Sequence, residues 1–143
     1  AQANPGEITA TALDSIENHI RSQNPDRTTI ENWFGCFITD IKPGFELPEP
    51  EEALNLEQLK EQLEQEDEIW RSEYARFSYI QHPGKTNLFV AGGRYELAAE
   101  NLPLAELLCG QRFFRFEELA PLLENEACGE VVVELYNLGA LYF

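Results

Sequence analysis

The sequence predicts an α+β fold, in which a helical region is followed by short helices around a small antiparallel sheet. Residues 7–41 carry apolar side chains at helical spacing, and residues 69–98 are rich in aromatic and β-branched residues separated by turn signals. Residues 111–143 then give two short amphipathic segments and a final apolar strand. That order is the helix–turn–helix–strand core of a winged-helix domain, so we expect this domain in the second part of the chain.

Two helices are predicted in the first 41 residues. The first spans residues 7–21 and stops at the sequence Ser22-Gln23-Asn24-Pro25. The second begins at a capping box formed by Thr28 and Glu31 and ends before Pro43-Gly44. It carries the most hydrophobic stripe of the chain, with three large aromatic rings, and the N-terminal helix is too small to cover it.

An apolar surface of this size usually marks an interface. We therefore predict self-association through an isologous two-fold contact, with a purely intrachain core as the alternative. The predicted dimer interface consists of Ile16, Ile20, Ile30, Trp33, Phe34, Phe37, Ile38 and Ile41.

An acidic segment with two prolines, residues 46–52, is typical of a stiff linker. We place the domain boundary just after it, which gives a helical dimerisation region with its linker at 1–54 and a winged-helix domain with a small antiparallel sheet at 55–143. The latter should begin with a helix over residues 56–65 that is capped by Asn55 and Gln58.

The strands of the winged-helix domain are predicted from alternation and turns. A hairpin turn at His82-Pro83-Gly84-Lys85 joins residues 69–81 to residues 86–91, and Gly92-Gly93 leads into residues 94–98. Alternation over 69–81 is imperfect, which indicates a bulge.

The remaining helices are predicted from their caps and apolar spacing. Asn101 should cap a helix that has Pro103 in its first turn and ends at Gly110. Two more helices are expected over residues 116–123 and 126–138, before a strand at 140–143.

Charge separates this domain from the DNA-binding winged helices. The formal net charge is −16, and no Lys or Arg follows Arg115, whereas six glutamates do. A DNA-reading helix neutralises phosphates with Lys or Arg, so we expect no DNA binding and a role with proteins instead. Basic residues gather in the strand region, where ordinary solvated arginines are the favoured interpretation and a patch facing an acidic surface or RNA is the alternative. The possible partner-binding residues are Arg71, Arg76, Arg94, Arg112 and Arg115.

The sequence offers little catalytic chemistry. His19 and His82 belong to no H-x-D, H-x-E or H-E-x-x-H motif, so neither a 2-His-1-carboxylate iron site nor a zincin site is predicted. Cys36, Cys109 and Cys128 have no C-x-x-C spacing and are interpreted as small buried hydrophobes in a reducing cytoplasm. We expect no catalytic, cofactor or metal residues in this chain.

The length and ends of the chain add two expectations. No apolar run reaches the ~20 residues of a membrane span, so no membrane partner is expected. The chain starts at Ala1 and contains no Met, from which we expect a fragment of a longer protein, with a processed protein as the alternative.

Two segments of the chain resemble a known family. Trp33-Phe34-Gly35-Cys36-Phe37-Ile38-Thr39, followed by Phe45-Glu46-Leu47-Pro48-Glu49-Pro50, resembles the W-F-G-x-F-[IL] helix and acidic proline-rich linker of bacterial JmjC-type ribosomal oxygenases. The segment from Phe116 to Phe143, ending in Asn137-Leu138-Gly139-Ala140-Leu141-Tyr142-Phe143, is similar to the terminal winged helix of that family.

The resemblance implies a function for the parent protein. Members of the family are Fe(II)- and 2-oxoglutarate-dependent oxygenases that hydroxylate an arginine or histidine of a ribosomal protein. Their catalytic JmjC cupin carries an H-x-D…H triad, for which this chain has no matching residues. The expected role is therefore dimerisation and support of substrate binding, and a winged-helix transcription regulator or a stand-alone interaction adaptor are the alternatives.

Overall fold

The structure is a computed structural model that describes residues 6–143. Internal contacts divide the chain into two compact units, one reaching to Ile30 and the other comprising Glu31–Phe143. The predicted boundary between residues 54 and 55 is not tested by this division and stays a prediction. Each unit is described by itself below.

The first two helices begin at other residues than predicted: the first begins later, at Ala10, and the second begins before the predicted capping box, at Arg27. Helix α1 spans Ala10–Gln23, because the Thr9 side chain accepts a hydrogen bond from Ala12 N at 3.2 Å. Helix α2 spans Arg27–Thr39, and its cap is Asp26, whose carboxylate accepts from Thr29 N at 2.7 Å. The capping box predicted at Thr28 is therefore wrong. Hydrogen bonds from Thr29 also lower the pKa of the Asp26 carboxyl.

The predicted α+β fold with small antiparallel β-structure is confirmed, and the strands form two three-stranded sheets. The strands β1 (Glu68–Arg71), β5 (Phe113–Arg115) and β6 (Leu141–Tyr142) form one sheet, with β1 in the centre. The strands β2 (Phe77–Gln81), β3 (Lys85–Val90) and β4 (Gly93–Ala98) form the other, a meander whose first turn is the predicted hairpin.

The strand predicted over residues 69–81 is in fact two strands in different sheets. A turn interrupts it, in which Ser72 O accepts from Ala75 N at 3.1 Å and Ser72 Oγ accepts from Tyr74 N at 3.3 Å. Ser72 N donates to Ala140 O at 2.9 Å, so the chain leaves the first sheet at that residue. The imperfect alternation therefore reflects a change of sheet, not a bulge.

The helices of the domain surround these sheets. Helix α3 (Leu56–Glu66) has the predicted capping box of Asn55 and Gln58, and α4 (Leu102–Gly110) follows a single 3₁₀ turn. Asn101 starts α4 without a capping hydrogen bond from its side chain, which instead donates to Asn125 Oδ1 at 3.4 Å.

The predicted helix–turn–helix–strand order is confirmed at the C-terminal side of the domain. Helix α5 (Phe116–Leu119) is shorter than predicted, and after Pro121 a 3₁₀ turn leads to α6 (Glu126–Asn137) and then β6. Buried apolar side chains from these helices and both sheets form one core. Its largest fully buried members are Phe114, Leu59, Leu63, Ile69, Leu88, Leu97, Leu104, Leu108, Leu119, Leu123 and Leu135, while Phe89 is fully buried outside this cluster.

Residues before α3 also pack on this core. The side-chain amide of Asn137 holds the backbone of Leu54, accepting from its N at 2.9 Å and donating to its O at 3.0 Å. Gly139, at φ +87°, allows the backbone of Pro48 to approach so closely that an added Cβ would lie 2.5 Å from Pro48 O. The acidic segment is thus held against the domain at both Pro48 and Leu54.

Helix α2 contacts the domain through its smallest residue. Gly35 is buried, and a Cβ built on it would overlap the ring of the fully buried Phe89. One turn later, the hydroxyl of Thr39 donates to Gly35 O at 2.8 Å and accepts from Gly92 N at 3.2 Å. The glycine in the W-F-G segment therefore serves close packing.

We predict that Gly35→Ala destabilises the protein although alanine favours helices. Propensity alone would stabilise α2 by about 1 kcal/mol, whereas the overlap with Phe89 should cost about 1–3 kcal/mol as overpacking does. Thermal unfolding followed by circular dichroism measures the net change. Gly84→Ala is the matched control, because its added Cβ meets nothing within 4 Å. An unchanged midpoint for Gly35→Ala would contradict the prediction.

Candidate interaction surfaces

The face of α2 opposite Gly35 carries exposed aromatic rings. Trp33 is 63% exposed, Phe34 49% and Phe37 64%, and Trp33 and Phe37 stack with ring centroids 5.2 Å apart. Gly35 and Thr39 are buried on the other face. One side of the helix is therefore fixed to the domain while its apolar side faces solvent.

The other residues of the predicted dimer interface differ in exposure. Ile16 and Ile20 of α1 and Ile30 of α2 are exposed, whereas Ile38 and Ile41 are half-buried. Six of the eight residues of the predicted dimer interface are therefore exposed. The dimer itself stays a prediction.

Helix α6 presents a polar face without cations. Its buried side is apolar and includes Val132 and Leu135, whereas Glu126, Glu130 and Glu134 are exposed. These glutamates lie on the second helix of the helix–turn–helix, the element that enters the major groove in DNA-binding relatives of this fold. The face would repel phosphates.

Arg71 is partly withdrawn from solvent by the fold itself. Its Nη1 donates to the carbonyls of Leu108, Cys109 and Gln111 at 3.3, 3.4 and 3.1 Å, so it satisfies the C-terminal end of α4. The guanidinium also lies 4.4 Å from the ring centroid of Phe77. Burial lowers the pKa of Arg71.

The other four predicted arginines are exposed and lie in two kinds of place. Arg112 and Arg76 line a concave surface, whereas Arg94 lies on β4 and Arg115 lies 3.9 Å from both Asp67 and Glu68. The sequence groups these four arginines by charge alone, whereas the structure places only Arg112 and Arg76 on the concave surface.

The concave surface, called the basic groove from here on, consists of two adjoining hollows of about 440 and 650 Å³ that share Glu73 and Tyr74. Its floor includes the outward face of the β5-β1-β6 sheet, where Phe113, Trp70 and Tyr142 are cross-strand neighbours. The groove is lined by Lys42, Phe45, Pro48, Trp70, Arg71, Ser72, Glu73, Tyr74, Ala75, Arg76, Arg112 and Tyr142.

Sequence reasoning missed the aromatic side chains of the basic groove. In β1, Ile69 is buried, Trp70 is exposed and Arg71 is half-buried. Because side chains of a strand alternate between its two faces, a buried Ile69 would have indicated an outward Trp70. The proximity of Phe45 and Tyr74, whose rings stack at 5.2 Å, depends on the packing of residues 31–54 and has no signal in the sequence.

Within residues 6–143, no group of three or more His, Cys, Asp or Glu side chains could hold a metal ion. His82 Nε2 lies 3.1 Å from Glu31 Oε2. Burial raises the pKa of the Cys109 thiol to about 11 and also raises that of Cys128, which disfavours their thiolates.

The fold and the acidic α6 define an acidic winged-helix domain. The family model of the ROXA-like winged helix matches residues 16–142, and the chain belongs to this family. No curated protein matches the sequence.

Solved structures share the fold. The ribosomal oxygenase YcfD from Escherichia coli aligns at a TM-score of 0.72 and 17% identity, over 100% of this chain and 38% of that chain. Two YcfD complexes, with cobalt and succinic acid and with cobalt and 2-oxoglutarate, each align at a TM-score of 0.69, 16% identity and the same coverage. This chain thus spans well under half the length of the solved protein.

None of the helices in residues 6–143 combines the length and the apolar character that crossing a bilayer requires.

We predict that this chain binds neither Fe(II) nor 2-oxoglutarate, because its two histidines and its carboxylates form no ligand set in the described residues. Isothermal titration of the chain with Fe(II) under anaerobic conditions, with and without 2-oxoglutarate, should give only heats of dilution. A stoichiometric site of micromolar affinity would contradict the prediction.

We predict no appreciable binding of duplex DNA at physiological salt, since α6 offers glutamates where phosphates would lie. Fluorescence anisotropy with a labelled duplex measures this. Changing Glu126, Glu130 and Glu134 to Lys should produce salt-dependent binding on the same scaffold. A salt-dependent affinity of ~1 µM for the unchanged chain would contradict the prediction.

Proposed function

We propose that this chain is the C-terminal, dimer-forming part of a 2-oxoglutarate-dependent oxygenase that hydroxylates a ribosomal protein in the cytoplasm. The observation that carries the proposal is the match to the ROXA-like winged helix over residues 16–142, together with a fold shared with 38% of the YcfD chain. The chain itself would not be catalytic.

The metal and the cosubstrate would belong to another part of the protein. The described residues do not fit an iron site, because they contain no cluster of His, Cys, Asp or Glu ligands. We therefore assign Fe(II) and 2-oxoglutarate to a catalytic cupin encoded upstream. Sequencing of the upstream reading frame should reveal an H-x-D motif followed by a second His, and a frame without it would favour the adaptor function.

The contribution of this chain would be assembly. Trp33, Phe34 and Phe37 expose aromatic surface beside the buried Gly35, and a helix face of this kind is stabilised when a second copy covers it. The apolar residues of α1 and α2 predicted for the interface would pair with their own copies. The acidic winged helix would then attract a basic ribosomal protein by charge.

We predict that Phe37→Glu dissociates the dimer, because it would bury an unpaired charge at a cost of several kcal/mol, about 3 or more. Multi-angle light scattering of the chain at tens of micromolar gives the mass. The wild type should be dimeric and the variant monomeric, while the far-ultraviolet circular dichroism of the winged helix is retained.

Ile8→Glu is the matched control for this experiment. Ile8 is 73% exposed, precedes α1 and lies outside the predicted interface, so the same gain of charge should leave the dimer intact. A monomeric wild type, or a Phe37→Glu protein that still dimerises, would place the interface elsewhere. Neither result would alter the family membership or the test of the upstream reading frame.

A further inference from the structure

The basic groove is an exception on an acidic protein. Four of the ten Lys and Arg residues of the chain line it, against the single acid Glu73. Arg71 is already bonded to the end of α4, so Lys42, Arg76 and Arg112 are the cations that a ligand would meet. The rest of the chain holds the other 25 of its 26 acids. Charges beyond about 8 Å are largely screened at physiological ionic strength, so the cations that line the groove count for more than acids on distant faces. Glu46 and Glu49 adjoin the lining residues Phe45 and Pro48 in sequence, but the lining itself favours an anion.

The groove also offers aromatic surface at the position of those cations. Trp70, Tyr74, Tyr142 and Phe45 are exposed large side chains. Trp70 stacks on Phe113 with ring centroids 4.8 Å apart, and Phe45 stacks on Tyr74 at 5.2 Å. Rings that also keep solvent-exposed area can stack with a further planar group.

We propose that the basic groove binds a short stretch of single-stranded RNA. Single-stranded nucleic acid is recognised by grooves in which cations follow the phosphates and aromatic rings stack on the bases. The sheet row Phe113–Trp70–Tyr142, with Arg112 next to it in sequence, provides both, and Lys42 and Arg76 extend the cations past Tyr74. Bases paired in a duplex present no free faces to these rings, so a duplex should bind far more weakly.

This inference does not depend on the proposed function. The groove lies within Glu31–Phe143 and involves none of the exposed rings of α2. Binding would be sequence-tolerant, because every base has a face that can stack.

The test uses the 143-residue chain and a labelled eight-nucleotide single-stranded RNA of mixed sequence. Anisotropy should give a Kd between about 1 and 100 µM near physiological salt, the range of sequence-independent binding. The same RNA annealed to its complement is the second probe. An eight-residue acidic peptide containing two prolines is the third, since it matches the cations without the bases.

Two pairs of variants separate the groove from general charge and aromatic effects. Arg112→Glu and Tyr74→Ala should each weaken RNA binding about tenfold, the effect of one lost contact or stacked base. Arg94→Glu changes net charge equally outside the groove, and Tyr79, at 39% exposure, matches Tyr74 at 40%. Arg94→Glu and Tyr79→Ala should bind like the wild type, with circular dichroism confirming that all four variants fold.

A spectroscopic signal reports the contact directly. The chain has two tryptophans, so Trp33→Phe leaves Trp70 as the only one. Single-stranded RNA should quench its fluorescence with the same Kd. The proposal is overturned if no anisotropy change occurs up to about 1 mM protein. It also fails if Arg94→Glu weakens binding as much as Arg112→Glu, or if the peptide or the duplex binds as tightly as the single strand.

Discussion

The four residues of β1 connect most of the molecule. Ile69 is fully buried in the core, Trp70 faces the basic groove between Phe113 and Tyr142, and Arg71 holds the carbonyl end of α4. The strand lies between β5 and β6 and so joins two segments that are far apart in sequence. Core, groove and helix end therefore share one short element, in which alternation turns Trp70 to the opposite face from Ile69 and Arg71.

The distribution of charge distinguishes this domain from winged helices that read DNA. A winged helix that reads DNA concentrates cations on the second helix of its helix–turn–helix, whereas here that helix exposes Glu126, Glu130 and Glu134. The cations lie on the sheet side instead, close to aromatic rings. The same backbone architecture thus carries acids where a DNA-reading winged helix carries cations.

Local patterns in the sequence predicted much of the fold because each depends on neighbouring residues. The capping box at Asn55, the hairpin turn at residues 82–85 and the apolar spacing of α6 are of this kind. Two features depend on residues far apart in sequence, so no local pattern predicts them: the change of sheet at Ser72 and the packing of Gly35 on Phe89. The basic groove was half predicted: its arginines were identified by charge, but its aromatic walls are assembled by tertiary contacts.

The two hydrogen bonds between the Asn137 side chain and the Leu54 backbone join positions 83 residues apart. The pairing of Trp70 with Tyr142 spans a similar separation. Such contacts form only after a long loop has closed, and the entropy of that closure must be met before the contacts contribute. Segment 48–54 therefore contributes to stability only when the C-terminal helix and strand are in place, and a cut or deletion at either end of the chain would release the other.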